Sequence, residues 1–169
     1  NIKSISNDLI PNFTAGQLKL FSNDQIKMFK PEQVAAMSVD QLNALSAAQV
    51  GAMTKDQVNA FTDDQIAGIK STQISAINKS VIKDADEHLI SSLNTAQVQA
   101  LTTDQLTELV AAQISYLKTE QIASLKGAQI AAIEVADLQE FSSDQIVALN
   151  SVQIASLKID QVKGLSSEQ

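Results

Sequence analysis

Glutamine recurs at every eighth residue from Gln17 to Gln73, again from Gln97 to Gln129, and from Gln145 to Gln169, with no change of phase. Seventeen of the twenty-two positions in this column are glutamine; the other five are Asn1, Leu9, Val81, Leu89 and Asp137. A period this short and this regular leaves few ways to fold, because every octad must solve the same local problem in the same way.

The flanking columns define that problem. The residue after each glutamine is always Ile, Leu or Val, from Ile2 and Ile10 through Val162. Three positions further lies a second apolar column that includes Phe21, Met37, Leu45, Phe61, Ile69 and Leu101, with Ala85 as its small member. Between the two sits a mostly small column, as at Ala36, Ala44, Ala52 and Gly68. Ser, Thr, Asn or Asp usually follows the second apolar residue, and an acid often precedes the glutamine, as at Asp40, Asp56 and Asp104.

This spacing predicts a helix start. Ser or Thr falls at the N-cap and Gln at the third helical position, the arrangement of a capping box. The apolar residues on either side are placed as a hydrophobic staple. An acid in the first turn meets the positive end of the helix dipole. Pro31 lands at the first helical position, where proline is favoured. One continuous helix is excluded, since eight residues at about 100° each leave roughly 80° of drift per octad and the apolar stripe would wind away from any partner. A β-solenoid would need apolar alternation with a period of two; columns three apart share a face only in a helix.

Helices so short do not persist alone in water. Octads must therefore stack and share a core, as solenoid repeats do. The expected fold is all-α: an elongated solenoid or superhelix of about twenty short single helices, one per octad. Handedness and the number of octads per circuit stay open at this stage. Residues 1–16 read as a degenerate N-terminal boundary, because Asn1 and Leu9 replace glutamine and Pro11 occupies a helix interior. Residues 17–169 read as one continuous octad solenoid, interrupted at 81–96. There Val81 and Leu89 replace glutamine, and Asp84, Asp86, Glu87 and His88 crowd together. These four are the one weak candidate for a binding patch. Their oxygen and imidazole groups suit a metal, but the EF-hand spacing and glycine are missing, so a structural defect is the stronger expectation. Phe13, Phe21 and Phe29 are expected to widen the core at their end. After Lys70 and Lys118 in the cap column, Ser71 and Thr119 are expected to cap one residue later.

Several functions are disfavoured. One histidine and no cysteine leave little for nucleophilic catalysis, so no enzymatic activity and no cofactor are expected. A net charge of −7 argues against a nucleic-acid partner. No apolar run approaches the ~20 residues that span a bilayer. A monomer is expected, its partners being another protein or neighbouring domains of the same chain. The chain begins and ends in phase, and the expectation is a segment of a longer repeat protein.

Runs such as Ala44-Leu45-Ser46-Ala47-Ala48-Gln49-Val50 and Ala100-Leu101-Thr102-Thr103-Asp104-Gln105-Leu106 resemble the glutamine-marked short repeats of very large bacterial secreted and surface proteins of the repeat-adhesin kind. The likeness covers nearly all of 17–169. It implies an extracellular or bacterial cell-surface setting and a spacer, scaffold or adhesive role. A spacer or scaffold is the leading expectation, and a protein-binding platform is the alternative. No functional residue carries over from the resemblance.

Overall fold

A computed structural model describes all 169 residues. It contains nineteen α-helices of four to six residues, preceded by the 3-10 helices Ile2–Ser4 and Asn7–Asn12, and no strand. The helices keep the octad phase from end to end. The fold is the all-helical repeat fold that the periodicity predicts.

Helix Lys55–Asn59 shows the local logic. Thr54 is extended at φ −81°, ψ 164°, and its Oγ1 accepts from the Gln57 amide at 3.3 Å. Gln57 Oε1 accepts from the Thr54 amide at 2.9 Å, closing the capping box. Helix Asp63–Gly68 then ends on Ile69, which is extended at φ −67°, ψ 137°. The corner here is made of two extended residues, the second apolar residue Ile69 and the next cap Lys70. No residue in the chain has a positive φ. The corner needs no left-handed residue, which explains why glycine does not mark the corner column.

Lysine at the cap keeps half of the box. At Lys30, Lys118, Lys126 and Lys158 the backbone amide still donates to the glutamine Oε1, at 2.8 Å in each case. The cap side chain has no oxygen to return the bond. Lys70 and Lys118 are themselves the N-caps of helices Ser71–Ile74 and Thr119–Ser124. The expected shift of the cap to Ser71 and Thr119 does not occur. Holding phase keeps the glutamine and branched columns in the core, and that outweighs one hydroxyl bond.

By contacts the chain divides into two compact units, Asn1–Ala85 and Asp86–Gln169, and the division falls within 81–96. Within each unit a helix packs on the third helix after it. Pro31–Ala35 meets Lys55–Asn59 in the first, and Gly127–Ala132 meets Ser151–Ser156 in the second. Hydrogen bonds between circuits span sequence separations from 25 residues (Asn43 to Gly68) to 31 (Gln41 to Ile10). One circuit therefore takes between three and four octads, the quantity that octad spacing leaves open.

The branched column is buried from Ile10 to Leu138. The second apolar column is buried from Phe29 to Leu149. Its members meet their own neighbours along the circuit. Phe13 and Phe21 stack edge to face with centroids 5.9 Å apart, and Phe21 and Phe29 at 5.4 Å. The aromatic core expected at this end is present, with Phe29 buried and Phe13 and Phe21 half-buried. Pro11 sits inside the 3-10 helix Asn7–Asn12. Ile10 beside it remains fully buried.

Candidate functional site

The most extensive polar constellation is the glutamine column, and it lies inside. From Gln33 to Gln73, from Gln97 to Gln129 and from Gln145 to Gln161 these side chains are buried. A buried amide is costly unless each of its polar atoms is matched. Here the matching is complete, for no buried side-chain nitrogen or oxygen lacks a partner.

The geometry is the same wherever it is seen. Gln57 Nε2 donates to the Ile26 carbonyl at 2.8 Å and to the Phe29 carbonyl at 2.7 Å. Gln121 does so to Ile90 and Leu93, and Gln153 to Ile122 and Leu125. The acceptors always stand 31 and 28 residues earlier. They are the carbonyls of one branched residue and one second-column residue, at the C-terminal end of a helix in the preceding circuit. Those carbonyls are the groups a short helix leaves without an internal partner. One side chain therefore caps the start of its own helix with its oxygen and the end of another with its nitrogen. Spacing within one octad predicts the capping; the ladder adds bonds from side chain to backbone that reach octads of the previous circuit.

A second set of amides works along the same edge. Asn43 Nδ2 donates to the Gly68 carbonyl at 2.9 Å, and its Oδ1 accepts from the Lys70 amide at 2.8 Å. Asn59 donates to the Asp84 carbonyl, and Gln139 to the Gly164 carbonyl. Packing is close here. A Cβ on Gly68 would lie 2.7 Å from Val39, and one on Gly164 would lie 2.4 Å from Val135. In each unit a bulky valine on one circuit is accommodated by a glycine 29 residues later.

Of the four residues singled out at 81–96, Asp84 and Asp86 hold local roles. Asp84 follows helix Lys79–Ile82 and belongs to the first unit; its carbonyl takes the Asn59 amide. Asp86 is the N-cap of helix Glu87–Ser92, with its Oδ1 accepting from the Leu89 amide at 2.9 Å. Glu87 and His88 are exposed in the first turn of that helix. No group of three or more His, Asp or Glu side chains in the chain is placed to hold a metal ion. No helix is long and apolar enough to cross a membrane.

Two features escape sequence reading. A groove of about 490 Å3 in the second unit is lined by Tyr116, Lys118, Thr119, Glu120, Glu140 and Asp144. In the same unit, Asp137 stands in the glutamine column on helix Val135–Leu138. Partial burial raises its carboxyl above the usual value of 3.8, and Glu134 and Glu140 add to the effect. Its unusual place in the column is the only sequence signal for that perturbation.

The comparisons agree with this geometry. No curated protein matches the chain. The ALTTAQ repeat family matches at residues 31–63, 90–127 and 130–167, together more than half of the chain. Ala100-Leu101-Thr102-Thr103-Asp104-Gln105 carries that pattern with one departure, Asp104. With a buried glutamine in every matched octad but the one that carries Asp137, the chain belongs to the ALTTAQ repeat family.

Proposed function

We propose that this structural repeat region is a non-enzymatic spacer or scaffold in a larger bacterial secreted or cell-surface protein. The observation that carries the reading is the use made of the glutamine column. At Gln41, Gln57, Gln65, Gln121, Gln129 and Gln153 the oxygen accepts from the cap of its own helix and the nitrogen donates to the previous circuit, so this repeated polar group is not turned outward to a ligand. The bacterial extracellular setting rests on the resemblance of the octads to repeat adhesins.

The test is replacement within the host protein. Residues 17–169 are exchanged for the same number of consensus octads, Leu-Ser-x-Asp-Gln-Ile-x-Ala, and separately for half that number. A spacer keeps host function in the first exchange and loses it in the second. Loss of function in the first exchange sinks the reading.

The groove around Tyr116 favours a second reading, a platform that binds another protein. Its lining combines one aromatic, one lysine and three acids in a set that recurs nowhere else along the octads. A partner captured by the chain and lost on Tyr116→Ala would select this reading over the first.

A further inference from the structure

Two Asn-x-Ser/Thr triplets stand in the chain, Asn12-Phe13-Thr14 and Asn78-Lys79-Ser80. Such a triplet is the acceptor pattern for an N-linked sugar, a pattern frequent enough by chance to need support from geometry. At the first triplet the hydroxyl is engaged elsewhere. Thr14 caps helix Ala15–Lys19, and its Oγ1 accepts from the Gln17 amide and donates to Gln17 Oε1, at 3.2 Å in both cases. At the second the hydroxyl turns to the asparagine. Ser80 Oγ donates to Asn78 Oδ1 at 2.8 Å, and the Ser80 amide donates to the same oxygen at 2.9 Å. Asn78, Lys79 and Ser80 are all exposed.

A missing glutamine accounts for the arrangement at Asn78. Asn94 and Asn150 occupy the same cap column, and each closes a capping box. Their Oδ1 atoms accept from the Gln97 and Gln153 amides at 3.0 Å, and those glutamines accept from the Asn94 and Asn150 amides at 2.8 Å. Neither asparagine has a hydroxyl two residues on. At position 81 the column holds valine, which has no oxygen to take the Asn78 amide. The Val81 amide goes to the Asn78 backbone carbonyl at 2.8 Å, and Asn78 Oδ1 is left to Ser80. Nor can valine donate to the Val50 and Met53 carbonyls, where the register of the ladder would send a glutamine. This corner is held by fewer bonds than its neighbours and opens locally more readily.

We propose that Asn78, singled out by its open box, is the acceptor of an N-linked sugar delivered by a triplet-reading glycosyltransferase from a sugar-diphosphate donor. The proposal goes beyond the spacer reading and is independent of it. A carboxamide nitrogen is a poor nucleophile, because its lone pair is delocalised into the carbonyl. Two donors on Oδ1 stabilise the negative charge that the oxygen gains when Nδ2 loses a proton, and so ease that loss. The transferase's base takes the proton and Nδ2 attacks C1 of the sugar. The Nδ2–C1 bond forms as the C1–O bond to the diphosphate breaks, and the diphosphate leaves with the electron pair. Nothing is oxidised or reduced. The sugar projects from an exposed corner and leaves the buried columns untouched.

The test offers the folded chain a nucleoside-diphosphate hexose with a soluble triplet-reading transferase, and in a second arm a polyprenyl-diphosphate oligosaccharide with a membrane-embedded one. Intact mass and peptide mapping are expected to show one sugar chain on Asn78 in at least one arm, and that arm identifies the donor. Asn78→Gln and Ser80→Ala should each abolish the product at this site, while Ser80→Thr, which keeps the hydroxyl, should retain it. Val81→Gln closes the box at Asn78. Ala96→Ser gives Asn94 a triplet in an octad that keeps its glutamine. Far-UV circular dichroism verifies the fold of both. Asn78 in the first of these variants and Asn94 in the second are expected to accept sugar about tenfold more slowly than Asn78 of the parent. A parent left unmodified at Asn78 in both arms overturns the proposal. Rates in those two variants equal to the parent's overturn it as well, since the triplet alone would then decide.

Discussion

Gln25 and Gln57 occupy the same column, follow the same kind of cap, and close the same local box. Gln25 Oε1 meets the Ser22 amide at 2.8 Å, and Gln57 Oε1 meets the Thr54 amide at 2.9 Å. Beyond that they part. Gln25 is exposed, while Gln57 is 1 % exposed and holds two carbonyls of the previous circuit. Starting a helix is a local property that any octad achieves. Joining circuits is tertiary and begins only where a previous circuit exists. The difference between these two glutamines measures what the ladder adds to the caps.

The largest expected effect comes from breaking that difference directly. Gln57→Met keeps the length of the side chain but deprives the Thr54 amide and the Ile26 and Phe29 carbonyls of their partner. At about 1 kcal/mol per bond, urea unfolding followed by circular dichroism should show a loss of about 3 kcal/mol. Gln25→Met removes one exposed bond and should cost at most about 1 kcal/mol. Equal losses at the two positions would show that the ladder contributes nothing beyond the cap.

The small column sharpens the same contrast through packing. Leu20 at the edge is 83 % exposed, whereas Gly68 lies against the side chain of Val39. Gly68→Leu should destabilise by about 1–3 kcal/mol, because the β-branched valine has little rotamer freedom to move aside. Adding Val39→Ala should recover much of that loss, a coupling that a double-mutant cycle reads directly. Leu20→Ala should shift stability by less than about 0.5 kcal/mol.

Much of this was legible in the octads because it is local. The caps at Thr54 and Ser38, the single-face placement of the branched and second columns, and Asp86 as a cap all follow from spacing within one octad. The destination of the glutamine nitrogen was not legible. Its acceptors lie 28 and 31 residues back, separations that are not multiples of eight and that depend on how tightly the circuits wind. The pairing of Val39 with Gly68 is hidden for the same reason. A lone glycine in a small column reads as drift until the residue above it is known. At 81–96, Asp84, Asp86, Glu87 and His88 look clustered in sequence, and helix capping accounts for Asp86 at once. Asp137 looks like simple drift in the glutamine column, yet it is the residue with a perturbed carboxyl.

Asp137 supplies the finest version of the comparison, an inner position that lacks its glutamine. By the register of the ladder, a glutamine here would donate to the carbonyls of Leu106 and Leu109 and accept from the Glu134 amide. Asp137→Gln should therefore stabilise the chain by about 1–2 kcal/mol at neutral pH. The pH dependence identifies the cause. The folded carboxyl is raised by partial burial and then by Glu134 and Glu140. The folded state thus holds this proton more tightly than the unfolded state. That advantage is complete below the unfolded value, near 3.8, and is lost as pH climbs through the raised folded value. The stability gap between the glutamine variant and the parent should widen across that interval and stay constant above it. A gap that ignores pH would assign the whole gain to the new hydrogen bonds, and a gap that narrows as pH rises would contradict the burial and the acidic neighbours as the origin of the shift.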